Sequence, residues 1–171
     1  MIRSTLIHVR KLSDQFLSWL VIIAMAALTV DVLWGVASRY WLGSQTRWTD
    51  ELATTLMIWA SMLGAALVYG EHGHLGVDYF VGKLDVAAQR LVAIAVHAMV
   101  FAFAAGVLGY GGWVTVERTY DSGQVLPALG LTKALTYLPL PICGLFLIFY
   151  AVEGVIETLF PPPSEDHPAE I

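Results

Sequence analysis

Four long stretches with almost no charged side chains limit this chain to a membrane fold more firmly than any motif. Residues 52–70, 91–116 and 134–152 contain no Asp, Glu, Lys or Arg, and residues 16–38 contain only Asp31. A helix crosses a hydrocarbon core about 30 Å thick with about 20 apolar residues. Charged residues make up 13% of the chain, against about 25% in soluble domains. We therefore predict an all-α integral membrane protein with four transmembrane helices joined by short interfacial segments.

The charge-free stretches also indicate the domain organisation. The spans are predicted at about residues 16–38, 52–70, 91–116 and 134–155. They form a single membrane domain over residues 1–160, with connections too short for a separate soluble enzyme domain. The acidic, proline-rich residues 161–171 are predicted to form a disordered tail.

Lysine and arginine residues near the first span predict the orientation. Three precede it (Arg3, Arg10 and Lys11) and two follow it (Arg39 and Arg47). Because positive residues are retained on the cytoplasmic side, we predict a cytoplasmic N-terminus. Four crossings then return the C-terminus to the cytoplasm.

Asp31 is the one acidic residue within the four charge-poor stretches, residues 16–38, 52–70, 91–116 and 134–152. At a rise of about 1.5 Å per residue, it is expected at the depth of Ser61 in the second span and Tyr110 in the third. Acids in membranes are usually paired, so we expect a hydrogen bond from one of these residues or from a partner subunit. A role in proton or sodium movement is the alternative. His97 lies at a different depth and is expected to be packed or hydrogen-bonded rather than a ligand.

Small residues recur four apart in the second and third spans, a spacing that lets helices approach closely. The pairs are Ala60 and Gly64, Ala102 and Gly106, and Ala105 and Gly109. They predict helix contacts, either within the chain or with a partner. Pro139 and Pro141 lie early in the fourth span, where they are expected to kink the helix or delay its start.

The stretch "YGEHGHLGVDYF" at the end of the second span collects two histidines and two acids. His72 and His74 are two residues apart, so on a helix they point in nearly opposite directions, and no metal-binding spacing surrounds them. We predict no metal site. His74 and Asp78 are four residues apart and would share one face of a short helix. They are predicted to organise the turn after the second span, with two water-facing side chains as the alternative.

Arg39 and Glu51 are expected near the same membrane interface, because one ends the first helix and the other begins the second. We predict an ion pair between them that fixes the hairpin. The alternative is two solvated end charges, whose pairing would be worth about 0–1 kcal/mol.

An ordered set of residues between positions 31 and 80 carries a family resemblance. Its members, in chain order, are Arg39, Trp48, Glu51, Trp59, Gly64, His74 and Asp78. Together with the four spans and the later "LPALGLTKALTYLPLPICG", this set resembles the small membrane subunit, of DctQ type, of tripartite ATP-independent periplasmic (TRAP) transporters.

The resemblance implies a three-part importer in the bacterial inner membrane. A periplasmic substrate-binding protein captures the substrate, typically a carboxylate, and a large membrane subunit carries substrate and coupling sodium. The small subunit would pack against the large one as a scaffold and help to dock the binding protein. The expected partners are therefore these two proteins and membrane lipid. No nucleic acid, cofactor, metal or enzymatic activity is expected.

Two other classes of membrane protein fit the sequence without the resemblance. One is a self-sufficient four-helix exporter, which would depend on Asp31 as its intramembrane carboxylate. The other is the membrane anchor of a redox enzyme, which would hold a chromophore. A single intramembrane histidine, His97, argues against a haem with two histidine ligands.

Overall fold

The chain folds into helices along almost all of the length that its computed structural model describes, residues 2–41, 43, 47–71 and 85–159. The elements are α1 (Ile2–Trp41), α2 (Arg47–Gly70), α3 (Val86–Phe103), a π-helical segment π1 (Ala104–Gly111), α4 (Gly112–Asp121), α5 (Ala134–Tyr137) and α6 (Pro139–Leu159). The π1 segment joins α3 and α4 without a break, so these three elements form one long helix.

Four helical segments are long and apolar enough to cross a membrane, which confirms the predicted all-α, four-span fold. They are Arg10–Trp41, Arg47–Gly70, Ala87–Asp121 and Ala134–Leu159. The α1 helix has 40 residues, or about 60 Å at a rise of about 1.5 Å per residue. That is about twice the thickness of a hydrocarbon core, so α1 must tilt or extend beyond the bilayer.

The antiparallel helices give the bundle two distinct ends. We call the end that holds Trp41, Arg47 and the connection 122–133 the loop end. We call the end that holds Arg10 and Gly70 the tail end. Hydrogen bonds within each end, described below, join residues that lie far apart in the sequence.

The core of the bundle is formed by buried apolar residues from all four spans. They are Leu17, Leu63, Ala66, Ala104, Leu108, Cys143, Leu147 and Tyr150. The third and fourth spans approach each other closely at Gly144. A Cβ atom on Gly144 would lie 3.0 Å from the backbone nitrogen of Gly109 and 3.1 Å from the carbonyl oxygen of Ala104. The predicted contact at Gly109 is therefore made within the chain.

The small residues Gly64 and Gly106 behave differently from Gly109. No atom of a neighbouring element lies within 4 Å of a Cβ built on either glycine. The predicted close approach at these two positions is therefore not made within the described part of the chain, which leaves contact with a partner as the prediction for Gly64.

The fourth span begins in two steps. The short helix α5 ends at Tyr137, and the amide of Leu138 donates to the carbonyl of Ala134 at 3.1 Å. The longer helix α6 then begins at Pro139, a position where proline is favoured because the first helical residues need no intrahelical donor. The predicted delay of the helix is therefore observed.

The half of α1 near the loop end stands at the side of the bundle. This helix packs chiefly against α2, and Ala24, Asp31, Gly35 and Ser38 form its buried stripe. Residues on its other faces, such as Leu33, remain exposed. These faces are apolar, as expected for a surface that meets lipid or another membrane protein.

Candidate subunit interface

Glu51 fastens the connection between the third and fourth spans to the first turn of α2. Its Oε2 atom accepts hydrogen bonds from the backbone amides of Ala128 at 3.0 Å and Leu129 at 3.2 Å. A carboxylate that accepts two backbone amides makes charge-assisted hydrogen bonds, which are stronger than neutral ones. Glu51 therefore has a structural role at the loop end.

The connection that Glu51 holds is itself closed by backbone hydrogen bonds. Val125 and Thr132 form an isolated antiparallel bridge, and the amide of Leu126 donates to the carbonyl of Leu131 at 2.7 Å. The amide of Lys133 also donates to the carbonyl of Gln124 at 2.9 Å. The connection is therefore an ordered hairpin-like loop at the membrane interface.

The predicted ion pair between Arg39 and Glu51 is not formed. The ion pairs found among the described residues all involve Arg10, and the Glu51 carboxylate is occupied by the backbone amides of the loop. Two preorganised amides on a neighbouring loop replace the long, exposed Arg39 side chain as its partners. Sequence spacing did not reveal this pairing because residues 51 and 128 are far apart in the chain.

Trp59 joins the second span to the start of the fourth. Its indole Nε1 donates to the carbonyl of Leu135 at 3.0 Å. One turn away, the hydroxyls of Thr55 and Thr136 lie 3.2 Å apart. Trp48, at the start of α2, is 36% exposed and lies on the surface of the loop end.

Asp31 lies in a cavity of about 240 Å³ between α1 and the first turns of α2. The residue is only 5% exposed, and no donor among the described residues reaches either carboxylate oxygen. The walls include Gly35 and Arg39 from α1 and Thr49 and Asp50 from α2.

The predicted hydrogen bond from Ser61 or Tyr110 to Asp31 is therefore wrong within this chain. Both residues are exposed on the bundle surface. The α2 helix begins at Arg47 rather than near residue 52, so its first turns, and not Ser61, lie beside Asp31. The other predicted partner, a group from another subunit, stays a prediction.

The tail end holds a polar cluster centred on Arg10. Its Nη2 donates to the carbonyl of Gly70 at 2.8 Å, and its Nη1 lies 3.5 Å from Glu153 and 3.3 Å from Glu157. These contacts join α1 to the ends of α2 and α6. In the sequence, Arg10 indicates only the orientation of the chain, because no local pattern shows that it meets residues more than 140 positions away.

A second part of this cluster uses Asp14, which lies one turn after Arg10 on α1. The Tyr150 hydroxyl donates to Asp14 Oδ1 at 2.6 Å, and Asp14 also lies 3.8 Å from Arg10 Nε. Tyr150 is 3% exposed, so this bond brings a buried hydroxyl and a carboxylate together. The tail end is thus held by several mutually supporting polar contacts.

His97 is a packed, hydrogen-bonded residue, as predicted. Its Nδ1 lies 2.7 Å from the hydroxyl of Tyr69, and the two rings meet edge to face. Gly154 of α6 lies directly against the imidazole ring. His97 therefore joins the third span to both the second and the fourth.

Two of the predicted site residues, His74 and Asp78, lie outside the described residues, as does His72. Their predicted role in the turn after the second span stays a prediction. Within the described ranges, no group of three His, Cys, Asp or Glu side chains is arranged to hold a metal ion.

The sequence from residue 28 to residue 160 matches the family described as "Tripartite ATP-independent periplasmic transporters, DctQ component". The chain belongs to this family. As a DctQ-type protein it is a small permease subunit of a TRAP transporter, a multi-pass protein of the bacterial inner membrane. The resemblance found in the sequence is thereby confirmed.

Similar proteins have the same assignment. A TRAP transporter small permease protein of Haemophilus influenzae is 27% identical over 147 residues, which cover 86% of this chain and 89% of that protein. The sialic acid TRAP transporter small permease protein SiaQ of Vibrio cholerae is 21% identical over 150 residues, or 88% of this chain and 85% of the relative. Both similarities extend over nearly all of each chain, and both proteins are transporter subunits rather than enzymes.

A third relative has a different architecture. The isethionate TRAP transporter permease protein DctMQ of Oleidesulfovibrio alaskensis is 31% identical over 96 residues, which cover 56% of this chain but only 15% of that protein. A DctQ-like region therefore occurs there within a much longer permease chain. TRAP small permease subunits act beside a large membrane subunit, and this relative carries such a region in the same polypeptide as the rest of the permease.

Proposed function

We propose that this DctQ-type chain is the scaffold subunit of a sodium-coupled, binding-protein-dependent importer of organic acids. It packs along the large membrane subunit and helps to dock the periplasmic binding protein. The observation that carries the proposal is the DctMQ relative, in which the matched region is 15% of one permease chain. Covalent linkage of the two parts favours a side-by-side arrangement in the membrane.

The internal contacts of the bundle support a scaffold role. The Arg10 cluster joins three spans at the tail end, while Glu51 and Trp59 join the second span to the loop and the fourth span at the loop end. A bundle fixed at both ends presents a constant surface to a moving partner. The exposed apolar faces of α1 provide such a surface.

The names of the relatives support a class of substrate. They refer to sialic acid and isethionate, both of which are organic anions at neutral pH. We infer that the complete transporter carries a small organic acid, which is bound by its other two components.

With the predicted cytoplasmic N-terminus, the loop end faces the periplasm. The ordered connection 122–133 is then available to the binding protein. Cysteine labelling tests this orientation well, because Cys143 is only 1% exposed. We expect a membrane-impermeant thiol reagent to label Gln124→Cys in intact spheroplasts, and to label the tail-end control Glu71→Cys only after lysis. The opposite pattern would reverse the orientation and exclude the loop as the docking surface.

Reconstitution tests the function itself. The chain is placed in liposomes with a sodium gradient and radiolabelled organic acids, either alone or with the large subunit and the binding protein from the same source. We expect sodium-driven uptake only when all three components are present. Uptake by this chain alone would contradict the scaffold role and favour a self-sufficient transporter.

A further inference from the structure

We propose that the cavity beside Asp31 receives a basic side chain from the large membrane subunit. The inference rests on the proposed function, because it requires that subunit as the partner. The inference specifies where one contact of the subunit interface lies on this chain and which charge the partner's side chain carries.

The carboxylate of Asp31 is buried deeply enough to need a hydrogen-bond donor as its partner. It lies ten residues before the end of α1, or about 15 Å along the helix axis, and is 5% exposed with no donor in the described part of the chain. Removing a carboxylate from water is costly unless it is paired, and acids within membranes usually are. Lipid tails offer no donor, whereas a neighbouring protein subunit can supply one.

The charges of the cavity favour a cation over a neutral donor. Its walls carry two carboxylates, Asp31 and Asp50, and one guanidinium, Arg39. The Arg39 side chain forms no ion pair with Asp31. A lysine or arginine from outside would donate hydrogen bonds to the buried Asp31 carboxylate and balance its charge.

The cavity is accessible from a side of the bundle that no described residue of this chain covers. Val32 and Val36 line the cavity and are about half exposed. The outer faces of α1 continue this surface with Leu33 and Trp34, which are also exposed. A helix of the large subunit that lies along α1 would therefore cover apolar residues and direct one side chain to Asp31. The volume of about 240 Å³ accommodates the end group of a lysine or arginine.

The test compares two charge-neutralising variants in the assembled transporter. The tagged chain is co-expressed with its large subunit, and the ratio of large subunit to tagged chain is measured after purification. Asp31→Asn would leave the partner's cation buried and unpaired, so we expect the ratio to fall by about tenfold or more. The matched control is Asp121→Asn, which makes the same chemical change at an exposed site on α4 and should leave the ratio unchanged.

A melting curve of each purified chain without the large subunit separates assembly from folding. Asp31→Asn should melt at or above the temperature of the unmodified chain, because it removes a buried charge that has no partner within the described residues. A ratio that falls while the melting temperature holds supports the inference. Undiminished assembly of Asp31→Asn overturns it.

Second-site selection identifies the partner residue. Starting from Asp31→Lys, restored uptake should arise through replacement of one basic residue of the large subunit by an acidic one. Suppressors that map only to this chain, or a photocrosslinker at Val36 that captures only a second copy of this chain, would overturn the inference. If the unmodified chain does not assemble with the large subunit at all, the proposed function itself fails. If it assembles and Asp31→Asn assembles equally well, only this inference fails.

Discussion

The two ends of the bundle satisfy their polar groups in different ways. At the tail end, Arg10 joins three helices through Gly70, Glu153 and Glu157. At the loop end, Glu51 is satisfied by a loop of the same chain, but Asp31 is buried without a donor from any described residue. The tail end therefore has the character of a self-contained structural cluster. The loop end combines a structural anchor with a buried carboxylate, for which we propose a partner in the large subunit.

The largest effect on stability is expected at the tail end, from Arg10→Ala. The substitution removes the donor to the Gly70 carbonyl and leaves Glu153, which is largely buried, without this cation. Loss of charged hydrogen bonds of this kind costs about 1.5–3 kcal/mol each, so we expect a loss of about 3 kcal/mol in the free energy of unfolding. Reversible unfolding in mixed detergent micelles measures it. Lys11→Ala, at an exposed neighbouring position, is the control, and an equal loss there would refute the special role of Arg10.

Packing at the tail end gives the next largest effect. A methyl group at residue 154 would meet the ring of His97, so Gly154→Ala is expected to cost about 1–3 kcal/mol through overpacking. The matched change Gly64→Ala enters open space and should raise the stability of the isolated chain by up to about 1 kcal/mol, because alanine favours a helix over glycine. The same unfolding measurement is used for both variants. If the two variants had the same effect, the packing difference described for these glycines would be wrong.

Gly64→Ala can also be tested in the complex, by measuring how much large subunit copurifies with it. No described residue of another helix lies within 4 Å of a Cβ built on Gly64, and Gly64 is predicted to contact a partner. We therefore expect less large subunit to copurify with Gly64→Ala although the isolated chain is at least as stable as before. Full assembly would show that lipid, rather than the partner, covers this position.

A smaller and more local effect is expected from Glu51→Ala at the loop end. The substitution frees the amides of Ala128 and Leu129, at a cost of about 1.5 kcal/mol. Because 1.4 kcal/mol is a factor of ten in an equilibrium, hydrogen exchange of these two amides should accelerate by about tenfold. Arg39→Ala should leave both amides unchanged, since Arg39 is not the partner of Glu51. If hydrogen exchange of these amides accelerated equally in the two variants, the result would favour an ion pair between Arg39 and Glu51, which the structure does not show.

The smallest effect on the isolated bundle is expected from His74→Ala and Asp78→Ala. If these residues organise the turn after the second span, the variants should reduce copurification of the large subunit. Uptake per assembled complex should stay unchanged. Normal assembly with a collapse of uptake per complex would instead place this turn in the transport cycle.

The sequence predicted the parts of the fold that depend on local composition. Four apolar stretches of membrane-spanning length predicted the four helices, and Pro139 predicted the delayed start of the fourth. The contacts that fix the bundle were not predicted, because they join distant residues. Arg10 and Glu153, for example, are 143 positions apart. The π1 segment was also missed, since glycine-rich apolar residues fit both π and α helices.

The prediction for Glu51 shows where reasoning from neighbouring positions fails. An acid at the start of one helix and an arginine at the end of the previous one suggested a pair across a short connection. The structure satisfies the carboxylate with amides from the next connection along the chain. The resemblance of this chain to a family draws attention to such a residue but does not show which atoms the residue contacts.

The most direct test of the difference between the two ends places Arg10→Ala and Asp31→Asn side by side. The melting temperature of the isolated chain and the ratio of large subunit to tagged chain are measured for both variants. We predict that Arg10→Ala lowers the melting temperature, whereas Asp31→Asn preserves the melting temperature and loses the large subunit. A lower melting temperature for Asp31→Asn with its full share of large subunit would contradict the account, because Asp31 would then serve the fold rather than the assembly.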